Sequence, residues 1–406
     1  MSKTIASTIT QRERWKYILI LGGLLSMQPF ALDPYLPAAP SVATTFGAPD
    51  SQVQLTMSAL TLGFALGQLI TGPLSDSLGR RRPIIVAAAL YVLAGILVFS
   101  APNIVIFAIG RVLQGVSGAA IQVVGNAVMR DLYAGTALMK MMSRVFLIQA
   151  LSWFIGPLGG TILLNYMSWR ELTLIIGAYG LILLVVGAKY LPETLHRESR
   201  ADREGLAAML QRFGRVLRDR PYVGIVSIGV LNSVALFGYL SVMPFVYQNK
   251  FGFAGSEYGY FFVLNSASAY VGVQAIAWLA RKVQLKWVVL VILVAQSTIG
   301  FTIFWAGSSN ASFPTLQAAL MAFTFFMGGS FAPLGTLALT RHGHEAGTAA
   351  ALNMVLGSLG STLAAPLYAN LGTQNSLGLG LMIMGCYTLA IAVLFAVVRP
   401  RQLESI

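Results

Sequence analysis

Twelve apolar stretches, each near the length of about twenty residues that crosses a bilayer as a helix, dictate what this chain can fold into. They fall at 17–39, 54–72, 83–101, 104–129, 145–164, 172–191, 222–245, 258–280, 286–306, 312–338, 346–371 and 376–398. In hydrocarbon every backbone N–H and C=O must be satisfied inside its own segment, so such stretches are helices. Only 10% of the residues are charged, against about a quarter in soluble domains. The predicted fold class is therefore all-α membrane protein. The longest polar stretch divides the spans six and six. This predicts an N-terminal bundle over 1–191, a cytoplasmic linker over 192–221 and a C-terminal bundle over 222–406. A short amphipathic helix at the membrane surface is expected between Glu204 and Arg218.

The net charge of +13 would suit nucleic acid if it were clustered, but it is partitioned by loop. With the N-terminus inside, 24 of the 27 Lys and Arg face the cytoplasm, Arg170 and Lys250 face out, and Arg111 lies within a span. This is the positive-inside rule. It predicts an inner-membrane protein with both termini cytoplasmic and no nucleic-acid partner. The one cysteine, Cys386, is in the last span, and His196, His342 and His344 are all in loops. The spans carry no metal cluster, no nucleophile beside a base and no phosphate-cradling loop. An enzyme is not expected, nor any cofactor beyond a proton gradient.

Of the 14 carboxylates, only Asp33 lies inside an apolar span. An ionised acid there costs about 3 kcal/mol on insertion scales, because loss of water penalises the charged form. Its natural use is to take up and release a proton. Asp33 is about 9 Å from the outer end of its span and Arg111 about 12 Å from the outer end of span four at the helical rise. The two are therefore expected at similar depth. A permanent ion pair, or an arginine that only pins helix ends, are the plainer alternatives.

Several spans contain their own breakers: Pro29 and Pro34 flank Asp33, Gly156-Pro157 and Gly159-Gly160 interrupt span five, and Gly357, Gly360 and Pro366 fall in span eleven. Proline frees a carbonyl and glycine lets helices approach closely, which suits either sliding helices or static packing. A weak internal echo links Pro40 to Phe46-Gly47 with Pro244 to Phe251-Gly252.

The loop Gly72-Pro-Leu-Ser-Asp76-Ser-Leu-Gly79-Arg80-Arg81-Arg82 puts an acid and three bases at the cytoplasmic surface, where Asp76 could latch to Arg80 or to Arg130. As a string it resembles the cytoplasmic signature of the major facilitator superfamily, with Ser77 where an arginine is common. Arg111-Val-Leu-Gln114-Gly115-Val-Ser-Gly118 is similar to the span-four motif of that family, whose arginine is associated with proton coupling. Gly156-Pro157-Leu-Gly159-Gly160 looks like its antiporter motif. Trp169-Arg170 and Pro192-Glu193-Thr194-Leu195 are at family-like positions. Leu32-Asp33-Pro-Tyr35-Leu36-Pro37, Met129-Arg130-Asp131-Leu-Tyr133 and Pro244-Phe-Val-Tyr247 are similar to the bicyclomycin and chloramphenicol resistance (Bcr/CflA) transporters, with Pro34 replacing the usual Met.

The resemblance implies twelve spans in two pseudo-symmetric six-helix bundles and proton-coupled export of a lipophilic drug by alternating access. The expected functional residues are Asp33 and Arg111 for the proton, and Asp76, Arg80, Arg81 and Arg130 for a cytoplasmic gate. Candidate cavity residues are Gln28, Tyr35, Met57, Gln122, Asn126, Gln149, Trp153, Asn232, Tyr239, Asn265 and Asn353, although polar side chains in lipid also serve simply to bond neighbouring helices. The expected partners are the drug, protons and lipid, and the chain is expected to act as a monomer. The rival readings are an importer or facilitator of a small metabolite, and a non-transporting membrane scaffold.

Overall fold

The computed structural model describes residues 11–195, 206–339, 345–369, 371 and 376–399. His196, His342, His344 and the side chain of Trp153 lie outside the described residues. The described residues are helical throughout, without strands: α1 (Gln11–Leu32), a 3-10 segment (Asp33–Ala38), α2 (Ala39–Phe46), α3 (Asp50–Leu78), α4 (Arg81–Phe99), α5 (Ile104–Leu132), α6 (Gly135–Leu164), α7 (Trp169–Tyr190), α8 (Leu206–Val216), α9 (Arg220–Phe245), α10 (Gly255–Leu279), α11 (Leu285–Ser308), α12 (Phe313–Leu339), α13 (Ala346–Ala369) and α14 (Ser376–Val393). A π turn, Val246–Lys250, prolongs α9, and another, Leu394–Val398, prolongs α14. Among the described residues, 12 helices are long and apolar enough to cross a membrane. The fold is that of a twelve-span all-α membrane protein.

The first span is longer than its apolar stretch. Where the sequence predicts 17–39, the chain stays helical from Trp15 to Phe46. The end of apolar character at Pro40 to Thr45 does not end the helix, because polar side chains there satisfy themselves locally. Thr44 Oγ1 donates to the Pro40 carbonyl at 3.2 Å and Thr45 Oγ1 to the Ser41 carbonyl at 2.8 Å, the back-bonding open to threonine within helices. Asp33 is consequently about 20 Å along the helical path from Phe46, although the apolar stretch ends closer to it. Span five likewise begins early, at Gly135, with Lys140 and Arg144 exposed on its first turns. The internal echo has a backbone counterpart: Gly47 (φ 57°) and Gly252 (φ 71°) both end their helical runs in the left-handed region, where glycine carries no Cβ penalty.

Contacts divide the chain into two compact units, 1–38 with 59–208, and 39–58 with 209–406. The division after 208 falls within the polar stretch 192–221, while the outer ends of the first two spans group with the second unit. Within the first unit α1 packs on α6, and α4 on α5 and α7. Within the second, α9 packs on α13, and α11 on α12 and α14. Span one thus meets five as seven meets eleven, and three meets four and six as nine meets ten and twelve. The closest approaches repeat as well: Gly63 and Gly115 bring α3 against α5, and Gly272 and Gly328 bring α10 against α12, each glycine facing backbone of the opposite helix.

Two helix starts in the first unit are closed by side chains. Asn103 caps α5 by accepting from the Val105 and Ile106 N–H groups at 3.1 and 3.0 Å. Ser168 and Glu171 form a capping box on α7, the reciprocal arrangement that satisfies two free N–H groups. Arg170 donates to the carbonyls of Phe99, the last residue of α4, and of Ala101. These caps fix where α5 and α7 begin, and hence the height of Arg111.

Candidate functional site

Asp33 opens the 3-10 segment, is 7% exposed, and has one carboxylate oxygen, Oδ2, with no hydrogen-bond partner. The local conformation follows from proline: Pro34 and Pro37 cannot donate into an α-helical ladder, and the chain tightens into a 3-10 turn. Span five packs directly on this turn. A Cβ at Gly156 would meet the Asp33 Cβ at 2.9 Å and the Pro34 Cδ at 3.4 Å, and one at Gly160 would meet the Pro34 carbonyl oxygen. Gly159 faces open space, and Pro157 is buried inside the helix. Two of the glycines in the span-five string therefore let its backbone lie against the acid.

Arg111 is 2% exposed on α5. Its Nη1 donates to the Ala31 carbonyl at 2.7 Å and to Gln114 Oε1 at 3.0 Å, and its guanidinium stands 4.6 Å over the Tyr35 ring. Nε and Nη2 have no partner. The expected similarity of depth holds, since Arg111 reaches the turn just ahead of Asp33. No ion pair joins the two among the described residues: the arginine bonds the backbone of span one, not its carboxylate. Tyr35 in turn lies against Phe107, and Phe107 against Trp169, with centroids 5.7 and 5.4 Å apart. An aromatic wall thus links spans one, four and six.

A second polar cluster gathers at the Arg80 end of the same unit. Arg80 is 5% exposed; its Nη1 donates to Asp76 Oδ1 at 2.6 Å and Ser75 Oγ at 2.8 Å, and its Nε to Asp131 Oδ2 at 3.0 Å. Gly79, at φ 93°, makes the turn that aims Arg80 back at α3. Of the two partners expected for Asp76, the structure selects Arg80. Arg130 instead lines a cavity of about 320 Å³ together with Gly72, Asp76, Arg80, Val123, Ala127 and Asp131. Arg81 Nη2 donates to the Ala188 carbonyl at 2.6 Å. Three participants carried no assigned role in the sequence reading: Asp131, Thr194, whose Oγ1 donates to Asp131 at 3.0 Å, and Glu193, which accepts from the Arg80 backbone N–H at 2.9 Å. Their motif strings were visible, but only the fold brings 131 and 193 to residue 80.

The candidate cavity residues separate by environment. Gln149 Nε2 donates to the Leu25 carbonyl at 3.0 Å, and Gly118 lies against the half-buried Gln28 side chain. Gln122 and Asn126 are half-buried, and Gln122 Oε1 has no partner. In the second unit Asn265 donates to Tyr239 Oη at 2.9 Å and accepts from Gln317 at 3.0 Å, while Tyr247 Oη donates to Gln317 at 2.6 Å. Asn232 Oδ1 accepts from Ser330 Oγ at 3.1 Å and Tyr387 Oη at 2.8 Å, joining spans seven, ten and twelve. Asn232, Tyr239 and Asn265 are 1–3% exposed and satisfied by neighbouring helices. Asn353 is half-buried, with its Oδ1 beside Gly229, and Met57 is buried. Tyr247 and Gln317, which complete the Asn265 network, were not among the candidates, since a buried polar ring across three helices leaves no local sequence pattern.

Twelve spans, small-residue contacts between them, and an acid and an arginine buried in the span interior define a multi-pass membrane transporter. The chain belongs to the Major Facilitator Superfamily, whose profile matches residues 19–365; it is not an enzyme. It is 28% identical over 361 residues to the uncharacterized MFS-type transporter YdgK of Bacillus subtilis, covering 88% of this chain and 89% of that one. A bicyclomycin resistance protein homolog of Haemophilus influenzae is 28% identical over 255 residues, 63% of this chain and 64% of its own length. Among solved structures, a D-xylose-proton symporter superimposes with a TM-score of 0.74 at 15% identity, covering 98% of this chain and 100% of that chain. At that identity the likeness concerns the fold.

Proposed function

We propose that this transporter exports lipophilic drugs in exchange for protons, by alternating access, across a bacterial inner membrane with both termini cytoplasmic. The observation that carries this reading is the Asp33 carboxylate, buried with a partnerless oxygen and packed against Gly156, with Gly160 against the adjoining Pro34. Proton uptake there changes the charge where spans one and five touch through Gly156 and Gly160. A charge change at a helix contact biases one arrangement of the helices over another, and a ligand shifts such an equilibrium only through differential affinity for its states. The proton is the first such ligand and the drug the second. A proton gradient of about 100 mV supplies roughly 2.3 kcal/mol per charge. The name of the bicyclomycin resistance relative supports a drug as the second ligand, and the partition of bases supports the orientation.

The test is transport in proteoliposomes with an imposed pH gradient, run across a panel of neutral and cationic drugs. Uphill drug movement against proton flow, lost in Asp33→Asn, is the expected result. Drug-independent flux of a sugar or metabolite moving with the proton would make the protein an importer, and no flux of any kind would remove the transport mechanism described here.

A further inference from the structure

At the end of the first unit that carries Arg80, two exposed lysines meet on one tyrosine ring. Tyr190 is the last residue of α7. Lys16 Nζ lies 3.9 Å from its ring centroid and Lys189 Nζ 5.4 Å from the same centroid. The two lysines come from different helices, α1 and α7, and both are exposed. Neither has an ion pair among the described residues. Arg81 is anchored beside them through its bond to the Ala188 carbonyl. Glu193, a carboxylate close by in the sequence, accepts from the Arg80 and Arg81 backbone N–H groups. A ring quadrupole attracts each cation but cannot offset the repulsion between two of them, so the charge is locally unbalanced.

The surface leading to this point is apolar. Trp15 and Leu19 on α1 are 49% and 63% exposed, and Ile182 and Val185 on α7 are 61% and 58% exposed. On a membrane helix such residues face acyl chains, and they run up to the lysines. Trp15 itself stacks under Arg144 at 4.8 Å, a second cation–aromatic pair of the kind that sits at head-group level. A ligand matching both features carries a negative phosphate and fatty chains.

We propose that Lys16, Lys189 and Tyr190, with Arg81 at the rim, bind the phosphodiester of an anionic phospholipid whose chains lie along α1 and α7. Zwitterionic phosphatidylcholine is disfavoured because its own ammonium meets the two lysines. Bound lipid bridges α1, the helix that leads to Asp33, to the end of α7.

The test titrates the full-length protein in detergent with phosphatidylglycerol or phosphatidylcholine and counts retained lipid by native mass spectrometry. Wild type should retain phosphatidylglycerol in preference. Lys16→Gln and Lys189→Gln should each weaken it about fivefold, and the double variant about 25-fold, as expected for lost basic residues at an anionic surface. A charge-matched control, Lys140→Gln with Arg218→Gln, removes two exposed bases elsewhere and should bind as wild type does. Tyr190→Phe, which keeps the ring, should also bind normally. The proposal is overturned if the double variant retains the lipid as wild type does, if the control loses as much, or if soluble glycerophosphoglycerol displaces the lipid at equal concentration. All these positions are exposed, and circular dichroism of each variant checks that binding is compared between folded proteins.

Discussion

The Arg111 guanidinium donates to the carbonyl of Ala31 at 2.7 Å, three residues before Pro34. Pro34 and Pro37 remove backbone donors from this stretch, and Arg111 adds a side-chain donor to span one just ahead of the 3-10 turn. This ties the arginine to the shape of the Asp33 turn, and its influence on the acid passes through that turn.

Arg111→Ala should leave Ala31 and Gln114 without this donor, each unsatisfied buried group costing about 1–3 kcal/mol. Arg111→Lys keeps the charge but loses the planar guanidinium that stacks over Tyr35. Thermal unfolding in detergent should rank wild type above Lys and Lys above Ala, and drug flux at matched protein level should follow the same order. Equal flux in all three would detach the arginine from the mechanism.

Asp33→Asn should stop uphill efflux and drug-induced proton release while leaving the melting temperature unchanged or higher. The Oδ2 atom has no hydrogen bond to lose, and removing a desolvated charge relieves a cost. Asp33→Glu should keep partial activity with a displaced pH profile, because one more methylene moves the carboxylate by roughly 1.5 Å toward Gly156. A large loss of stability in Asp33→Asn would point to a structural ion pair instead.

The three glycines of the Gly156-Pro157-Leu-Gly159-Gly160 string should not be equivalent. Gly160→Ala drives a methyl group into the Pro34 carbonyl, and Gly156→Ala presses on Asp33; overpacking of this kind costs about 1–3 kcal/mol. Gly159→Ala meets nothing within 4 Å and gains up to about 1 kcal/mol of helix propensity. Unfolding temperature and flux measured on the three variants check the order.

In the Arg80 cluster, Arg80→Gln should be the most damaging change, since one side chain holds Ser75, Asp76 and Asp131 together. Asp76→Asn should impair transport with near-normal expression, because Asp76 is 36% exposed and such pairs contribute only about 0–1 kcal/mol to stability. Arg130→Gln should be milder than Arg80→Gln in both respects. Thermal shift and flux on the same preparations separate the two effects.

Orientation is checked by reporter fusions. Those after Gly47, Pro102 and Asn310 should behave as periplasmic, and one after Glu198 as cytoplasmic. A periplasmic signal at Glu198 would reverse the assignment of the basic loops.

Legibility differed sharply between residues. Asp33 stood out because a lone acid in an apolar run is anomalous on any hydropathy scale. The helix that carries it runs further than the apolar stretch shows, because Thr44 and Thr45 look like a loop until their back-bonds to Pro40 and Ser41 are seen. Asn232 and Asn265 stood out by polarity, which left open a cavity or a neighbouring helix, and both bond partners on other spans. Polarity shows that a side chain needs a partner and is silent on whether that partner is a ligand or a tyrosine 155 positions away.

From the sequence by itself came the twelve spans, the family and the identity of the buried acid and arginine, because apolar length, charge and short motifs are written along one dimension. The tertiary structure alone decided which groups meet: Arg111 with Ala31, Gly156 and Gly160 with the Asp33 turn, Arg80 with Asp131. Those pairings depend on which faces of two helices touch and at what height, and that is set by glycine contacts and capped helix starts far apart in the chain.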